Sequence, residues 1–214
     1  MRPDAVLFDC DGVIVDSEPM TFVLLAEDFA QHGLHLSVAE IARDFIGGTM
    51  ADVATRARDA GADLPPNWVE GFYDKLYAHL AKGTPLIDGI LGVLDALEAA
   101  GIPFAIGSNG SSRKMEISLG QHSGLVSRFK GHLYSGQTLG APKPAPDLYL
   151  FAARALGVDP ARAVVIEDSA TGARAAKNAG IRCMGYAPHG PEALKAEGAE
   201  IFTDMKDLPR LLGL

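Results

Sequence analysis

The chain has 214 residues, of which 48% are hydrophobic and 21% charged, with a formal net charge of −8; that is enough to bury a substantial core, as one domain or a domain with an insertion. The acidic balance argues against a nucleic-acid or anionic-membrane surface, either of which needs clustered Lys and Arg. No apolar stretch approaches the ~20 residues of a membrane helix and no signal-peptide pattern precedes the first strand, while Cys10 and Cys183, the two cysteines, argue against a disulfide framework and fit a reducing cytoplasm.

Val6, Leu7 and Phe8 form an uninterrupted apolar run, as expected of a central parallel strand buried on both faces. The run ends in Asp9, Cys10, Asp11 and Gly12. Side chains alternate along an extended segment, so Asp9 and Asp11 point the same way and Cys10 elsewhere, and Gly12 allows a turn. On spacing alone the two acids have three uses: metal binding, a division into nucleophile and acid/base, or capping of the next element.

Pro19 then opens a helical pattern, with Phe22, Leu25, Ala26 and Phe29 on one stripe and Gly33 closing it. Ser37 with Glu40 reads as a capping box for a second helix through Phe45. Gly47-Gly48 interrupts, a third helix is predicted over Ala51 to Ala60, and a fourth after Pro65-Pro66, where Trp68, Phe72, Leu76 and Leu80 recur at intervals of four. This block contains no strand signal. From Gly83 onward the pattern is βα alternation: a helix over Ile90 to Ala100, a strand at Phe104 to Gly107 ending in Ser108-Asn109-Gly110, and a helix from Ser111 or Ser112. A weaker strand at His132 to Tyr134 follows, then the proline-bound loop around Lys143 and a helix over Leu148 to Leu156. Ala163 to Ile166 runs into Glu167-Asp168-Ser169, a helix spans Thr171 to Ala179, and Arg182 to Gly185 and Glu200 to Phe202 read as the last strands, each with a helix after it.

The alternation implies an α/β fold, a doubly wound and mostly parallel Rossmann-like core sheet formed by residues 1–15 and 83–214. Residues 16–82 form a helical cap inserted after the first strand, which makes them a candidate lid over Asp9 and Asp11. Asp9 with Asp11, Ser108 with Asn109, and Glu167 with Asp168 meet at the carboxyl edge of the sheet, where ligands collect in such folds, joined by Lys143 from its loop. Carboxylates gathered at one edge call for a cation, and Mg²⁺ suits oxygen ligands that leave positions for water and phosphate. None of the six histidines has the spacing of a metal site.

These segments closely resemble the haloacid-dehalogenase-like superfamily of aspartate-nucleophile hydrolases. The resemblance is carried by Asp9-x-Asp11-Gly12-Val13-x-x-Asp16-Ser17-Glu18, by Ser108 after an apolar strand, by Lys143-Pro144-x-Pro146-Asp147, and by Glu167-Asp168-Ser169-x-x-Gly172. It spans essentially the whole chain in order, within the branch of phosphoglycolate phosphatase and β-phosphoglucomutase. The run Ser108 to Met115 is similar to that of bacterial sugar-acid phosphatases acting on 6-phosphogluconate. The resemblance implies that Asp9 is the nucleophile, Asp11 the acid/base, and Ser108 and Lys143 holders of phosphoryl oxygens, with Asp9, Asp11, Glu167 and Asp168 as the Mg²⁺ set. Asn109, Gly48, Thr49, Lys75, Arg113 and Lys114 are the expected substrate contacts, and the expected partner is a small phosphorylated metabolite. The mutases carry an arginine in the cap loop that grips a second phosphate; Met50 stands at the matching position here, which favours a phosphatase. A phosphomutase, and a phospho-accepting signalling or sugar-phosphate-binding protein, are the competing expectations.

Overall fold

The computed structural model describes residues 2–45 and 49–214. The first strand, β1 (Ala5–Phe8), has no exposed position. Four helices follow: α1 (Glu18–Gln31), α2 (Val38–Asp44), α3 (Met50–Asp59) and α4 (Trp68–Leu80). The alternation then runs α5 (Ile90–Ala99), β2 (Phe104–Ser108), α6 (Ser112–Gly120), α7 (Leu125–Arg128), β3 (Leu133–Ser135), α8 (Gly136–Leu139), α9 (Asp147–Ala155) and β4 (Ala163–Glu167). It closes with α10 (Ala170–Asn178), β5 (Arg182–Tyr186), α11 (Glu192–Ala196), β6 (Glu200–Phe202) and α12 (Leu208–Leu211).

The strands lie in the order β3-β2-β1-β4-β5-β6, and every pairing is parallel. The sheet is therefore the doubly wound one expected, parallel throughout. Its order reverses between β1 and β4, and such a switch point opens a crevice at the strands' carboxyl ends. The pleat divides the core in two. Val6 and Phe8 pack with Ile106, Val164, Leu94 and Met115 on one face, whereas Ala5 and Leu7 pack with Val165, Tyr149, Ala152 and Ala176 on the other. Cys10 continues the Val6 and Phe8 side and is buried there.

The chain divides into two compact units, Met1–Asp16 with Pro85–Leu214, and Ser17–Thr84. In the first, the ends of the two segments are tied to each other. Val15 bridges antiparallel to Leu86, and the Asp16 N–H donates to the Pro85 carbonyl at 2.9 Å.

The second unit is helical. Its helices begin on the caps their sequences offer: Ser37 with Glu40, and Thr49 with Asp52, form reciprocal capping boxes. The stripe on α4 is buried at all four positions, Trp68, Phe72, Leu76 and Leu80, with Trp68 stacked on Phe72 at 4.8 Å between ring centres and facing Phe29 at 5.7 Å. Asp28 is buried beside them, accepting a bond from the Trp68 indole N–H at 2.5 Å and pairing with Lys75. Among the described residues, no helix is long and apolar enough to cross a membrane.

Candidate active site

Asp9 leaves the sheet immediately after β1, its N–H donating to the Ile166 carbonyl of β4 at 2.9 Å. The next turn is short because Gly12 adopts φ +78° and its N–H closes on the Val15 carbonyl at 2.8 Å. A side chain at 12 is excluded twice, by that φ and because a Cβ would stand 1.9 Å from Asp168 Oδ2. The Asp168 carboxylate occupies the space that the glycine leaves.

Lys143 is the hub. Its Nζ donates to Asp9 Oδ1 at 2.5 Å and to Glu167 Oε1 at 2.6 Å, and the ammonium lies 4.8 Å from the centre of the Tyr149 ring. Glu167 is completely buried. Its Oε1 also accepts from the Tyr149 hydroxyl at 2.8 Å, and its Oε2 accepts from the Asp168 and Ser169 N–H groups at 3.1 and 3.0 Å and from Ser169 Oγ at 2.9 Å. Five donors thus meet one carboxylate, the condition under which a buried charge is tolerated. Ser169 caps α10 through the Gly172 N–H, and a Cβ at 172 would lie 1.6 Å from Glu167 Oε1.

The charges follow from this packing. Burial pushes the Asp9 carboxyl up to about 7, the Glu167 and Asp11 charges adding to the rise and the Lys143 ammonium opposing it. Burial works to raise Glu167 as well, but Lys143 and the bonds from Ser169 and Tyr149 outweigh it and hold that carboxyl below its ordinary range. For Lys143 burial favours the neutral amine, yet Asp9 and Glu167 prevail and raise it above the usual lysine range. The hub is a permanent cation.

Ser108 is buried at the end of β2, its Oγ accepting from the Gly110 N–H at 2.9 Å. Lys114, near the start of α6, reaches back to Asp11, Nζ to Oδ1 2.7 Å. Arg113 beside it is exposed. The Asn109 side chain is turned to the main chain of Lys143. Asp9, Asp11, Ser108, Asn109, Lys114, Lys143, Glu167 and Asp168 are therefore linked at one end of the sheet. Thr49 and Lys75 belong to the helical unit, where Thr49 caps α3 and Lys75 pairs with Asp28; Gly48 lies outside the described residues.

Carboxylate oxygens of Asp9, Glu167 and Asp168 all lie within 4.8 Å of one another. An all-oxygen set of this kind fits a hard divalent cation, and no thiolate or imidazole in it would favour a softer one. The sequence motifs do not single out Tyr149. The available signal was a tyrosine on a face of α9 made otherwise of Leu148, Ala152 and Ala153, since a buried phenol must find a partner.

A model of the haloacid dehalogenase-like hydrolase family matches residues 3–180. The chain is 29% identical to the 6-phosphogluconate phosphatase of Escherichia coli (strain K12) over 213 residues, covering 98% of this chain and 95% of the relative. It is 31% identical to hexitol phosphatase A of the same organism over 187 residues, 86% of this chain and 83% of the relative. Among solved structures, a family hydrolase from Deinococcus radiodurans R1 with bound phosphate and sodium superposes with a TM-score of 0.83 at 38% identity, covering 99% of this chain and 96% of that one.

Proposed function

The chain belongs to the haloacid dehalogenase-like hydrolase family, and from that premise we propose that it releases phosphate from a small sugar or sugar-acid phosphate, such as 6-phosphogluconate, by way of an aspartyl phosphate on Asp9. It is a phosphoric monoester hydrolase. The observation that carries the proposal is the Asp9 carboxylate held by Lys143 at the sheet's switch point, with a second acid, Asp11, two residues on.

Asp9 attacks phosphorus, the bond to the sugar oxygen breaks, and Asp11 delivers a proton to the departing alcohol. Asp11 then removes a proton from water as that water attacks phosphorus, the bond to Asp9 breaks, and both carboxyl groups return to their starting state. Ser108 donates to a phosphoryl oxygen through its hydroxyl. Lys143 offsets charge as the carboxylate approaches a phosphate dianion, the electrostatic task that dominates phosphoryl transfer. Asp9, Asp168 and the Asp11 carbonyl would hold Mg²⁺, which supplies further charge neutralisation and alignment when bound, while Glu167, its oxygens already committed to five donors, orients Lys143. The sugar-phosphate specificities named for the relatives, and the phosphate bound by the Deinococcus protein, support a phosphoryl ligand at this sheet edge. The helical unit acts in this proposal as the cap that selects the sugar.

Asp9→Asn should abolish Mg²⁺-dependent phosphate release from a panel of phosphorylated metabolites. Retained turnover in that variant would sink the mechanism, and conversion of a sugar phosphate to its isomer without free phosphate would favour a mutase.

A further inference from the structure

We infer that Asn109 is a positioning residue for Lys143, its side chain committed to the protein and not to the substrate; the inference rests on the phosphatase reading above. Asn109 follows Ser108 at the end of β2, and Lys143 lies 34 residues further on. The Asn109 Oδ1 accepts from the Lys143 N–H at 2.8 Å, and its Nδ2 donates to the Lys143 carbonyl at 3.1 Å. Both backbone groups of one residue are thus answered by one side chain. Only one orientation of the amide satisfies both, which fixes its oxygen and nitrogen. A carboxamide carries the required donor and acceptor together, which a carboxylate or an aliphatic side chain does not.

The need for such a clamp is local. Lys143 sits between Pro142 and Pro144, neither of which has an N–H to offer a ladder, so this loop cannot be anchored as a strand would be.

Asn109 is itself held. Its carbonyl accepts from Gln137 Nε2 at 3.0 Å, and Gly136 stands behind the contact. A Cβ at 136 would lie 2.9 Å from Pro142 Cα and 3.0 Å from Asn109 Oδ1. The turn after β3, the end of β2 and the proline-bound loop therefore converge on a single amide. From that fixed backbone Lys143 reaches Asp9 and Glu167, so a displaced loop moves the ammonium off the nucleophile. Misplacements of about 1 Å cost on the order of 10²-fold in rate.

The test compares wild type with Asn109→Ala and Asn109→Asp. The aspartate is nearly isosteric and keeps the acceptor for the Lys143 N–H while setting an acceptor against the Lys143 carbonyl. Each is assayed on p-nitrophenyl phosphate, a neutral sugar phosphate and a sugar-acid phosphate, with melting curves to establish the folded fraction. Per folded enzyme, kcat should fall by about 10- to 100-fold by the same factor on all three substrates, with KM little changed. A shift in the relative kcat/KM between substrates would overturn the inference in favour of a substrate contact. A lowered melting temperature with wild-type kcat would overturn it in favour of a purely structural role. Should Asn109→Ala fail to fold, Asn109→Asp alone decides between these outcomes. Absence of turnover by wild type on every substrate would instead defeat the phosphatase reading, and the inference with it.

Discussion

Glu167 illustrates how little freedom the site leaves a single residue. Its carboxylate is out of contact with solvent and is neutralised by Lys143, while Tyr149, Ser169 and two main-chain N–H groups take up its lone pairs. Gly172 completes the arrangement by having no side chain where Oε1 lies. Gly172→Ala should therefore evict the carboxylate, destabilise the protein by about 3 kcal/mol or more as a buried ionic network opens, and remove phosphatase activity. Urea denaturation and turnover check the two effects. A variant with wild-type stability would show that Glu167 can relocate at no cost. The sequence offered Glu167 and Lys143 as members of one site. It does not offer Tyr149 as their third partner, because nothing in the chain between positions 149 and 167 states which side of α9 faces the sheet. For the same reason the sequence places Asn109 at the substrate: the identity of an amide shows its hydrogen-bonding capacity, and only the path of the proline-bound loop decides where that capacity is used.

At the level of elements, α4 shows a pattern that determines its own burial. Trp68, Phe72, Leu76 and Leu80 recur once per turn and are all inside, and Phe72 is stacked on Trp68 with almost no exposure. Phe72→Ala should cost about 3–5 kcal/mol, read as a lowered denaturation midpoint; a change below about 1 kcal/mol would mean that the helical unit repacks around the gap. The strong periodicities were all legible in this way, from the β1 run to the capping box at Ser37. The elements not anticipated, α7 and α8, are four residues each. One turn is too short to display a helical period, and such turns are set by what they bury, here Leu125 against the core that also holds Phe129. Strand ends shifted for a related reason. β2 and β4 each extend one residue past their apolar run, into Ser108 and Glu167, because the parallel ladder continues regardless of polarity and functional side chains sit on its last rung.

For the molecule as a whole, the formal charge of −8 coexists with a buried acidic cluster whose protonation is linked to folding. Asp9 is raised to about 7 in the folded protein, against about 3.9 in an unfolded chain. Between those values the folded state holds a proton that the unfolded state has lost, so this group's contribution to stability falls as pH rises through that window. In chelator, wild type compared with Asp9→Asn should lose melting temperature between about pH 4 and about pH 7, and Mg²⁺ should recover the loss at the higher pH. An identical pH response of the two proteins would contradict the assignment of the raised carboxyl to Asp9.

The tie between Asp16 and Pro85 has a further consequence. The 68 residues from Ser17 to Thr84 leave and re-enter the sheet-bearing unit at neighbouring points that are already joined by a hydrogen bond and by the Val15–Leu86 bridge. Closing a chain whose ends are held together costs little more for a long excursion than for a short one, since the entropy of closure grows only with the logarithm of length. The tie between Asp16 and Pro85 therefore sets little limit on the length of chain that the sheet-bearing unit can carry between those two residues.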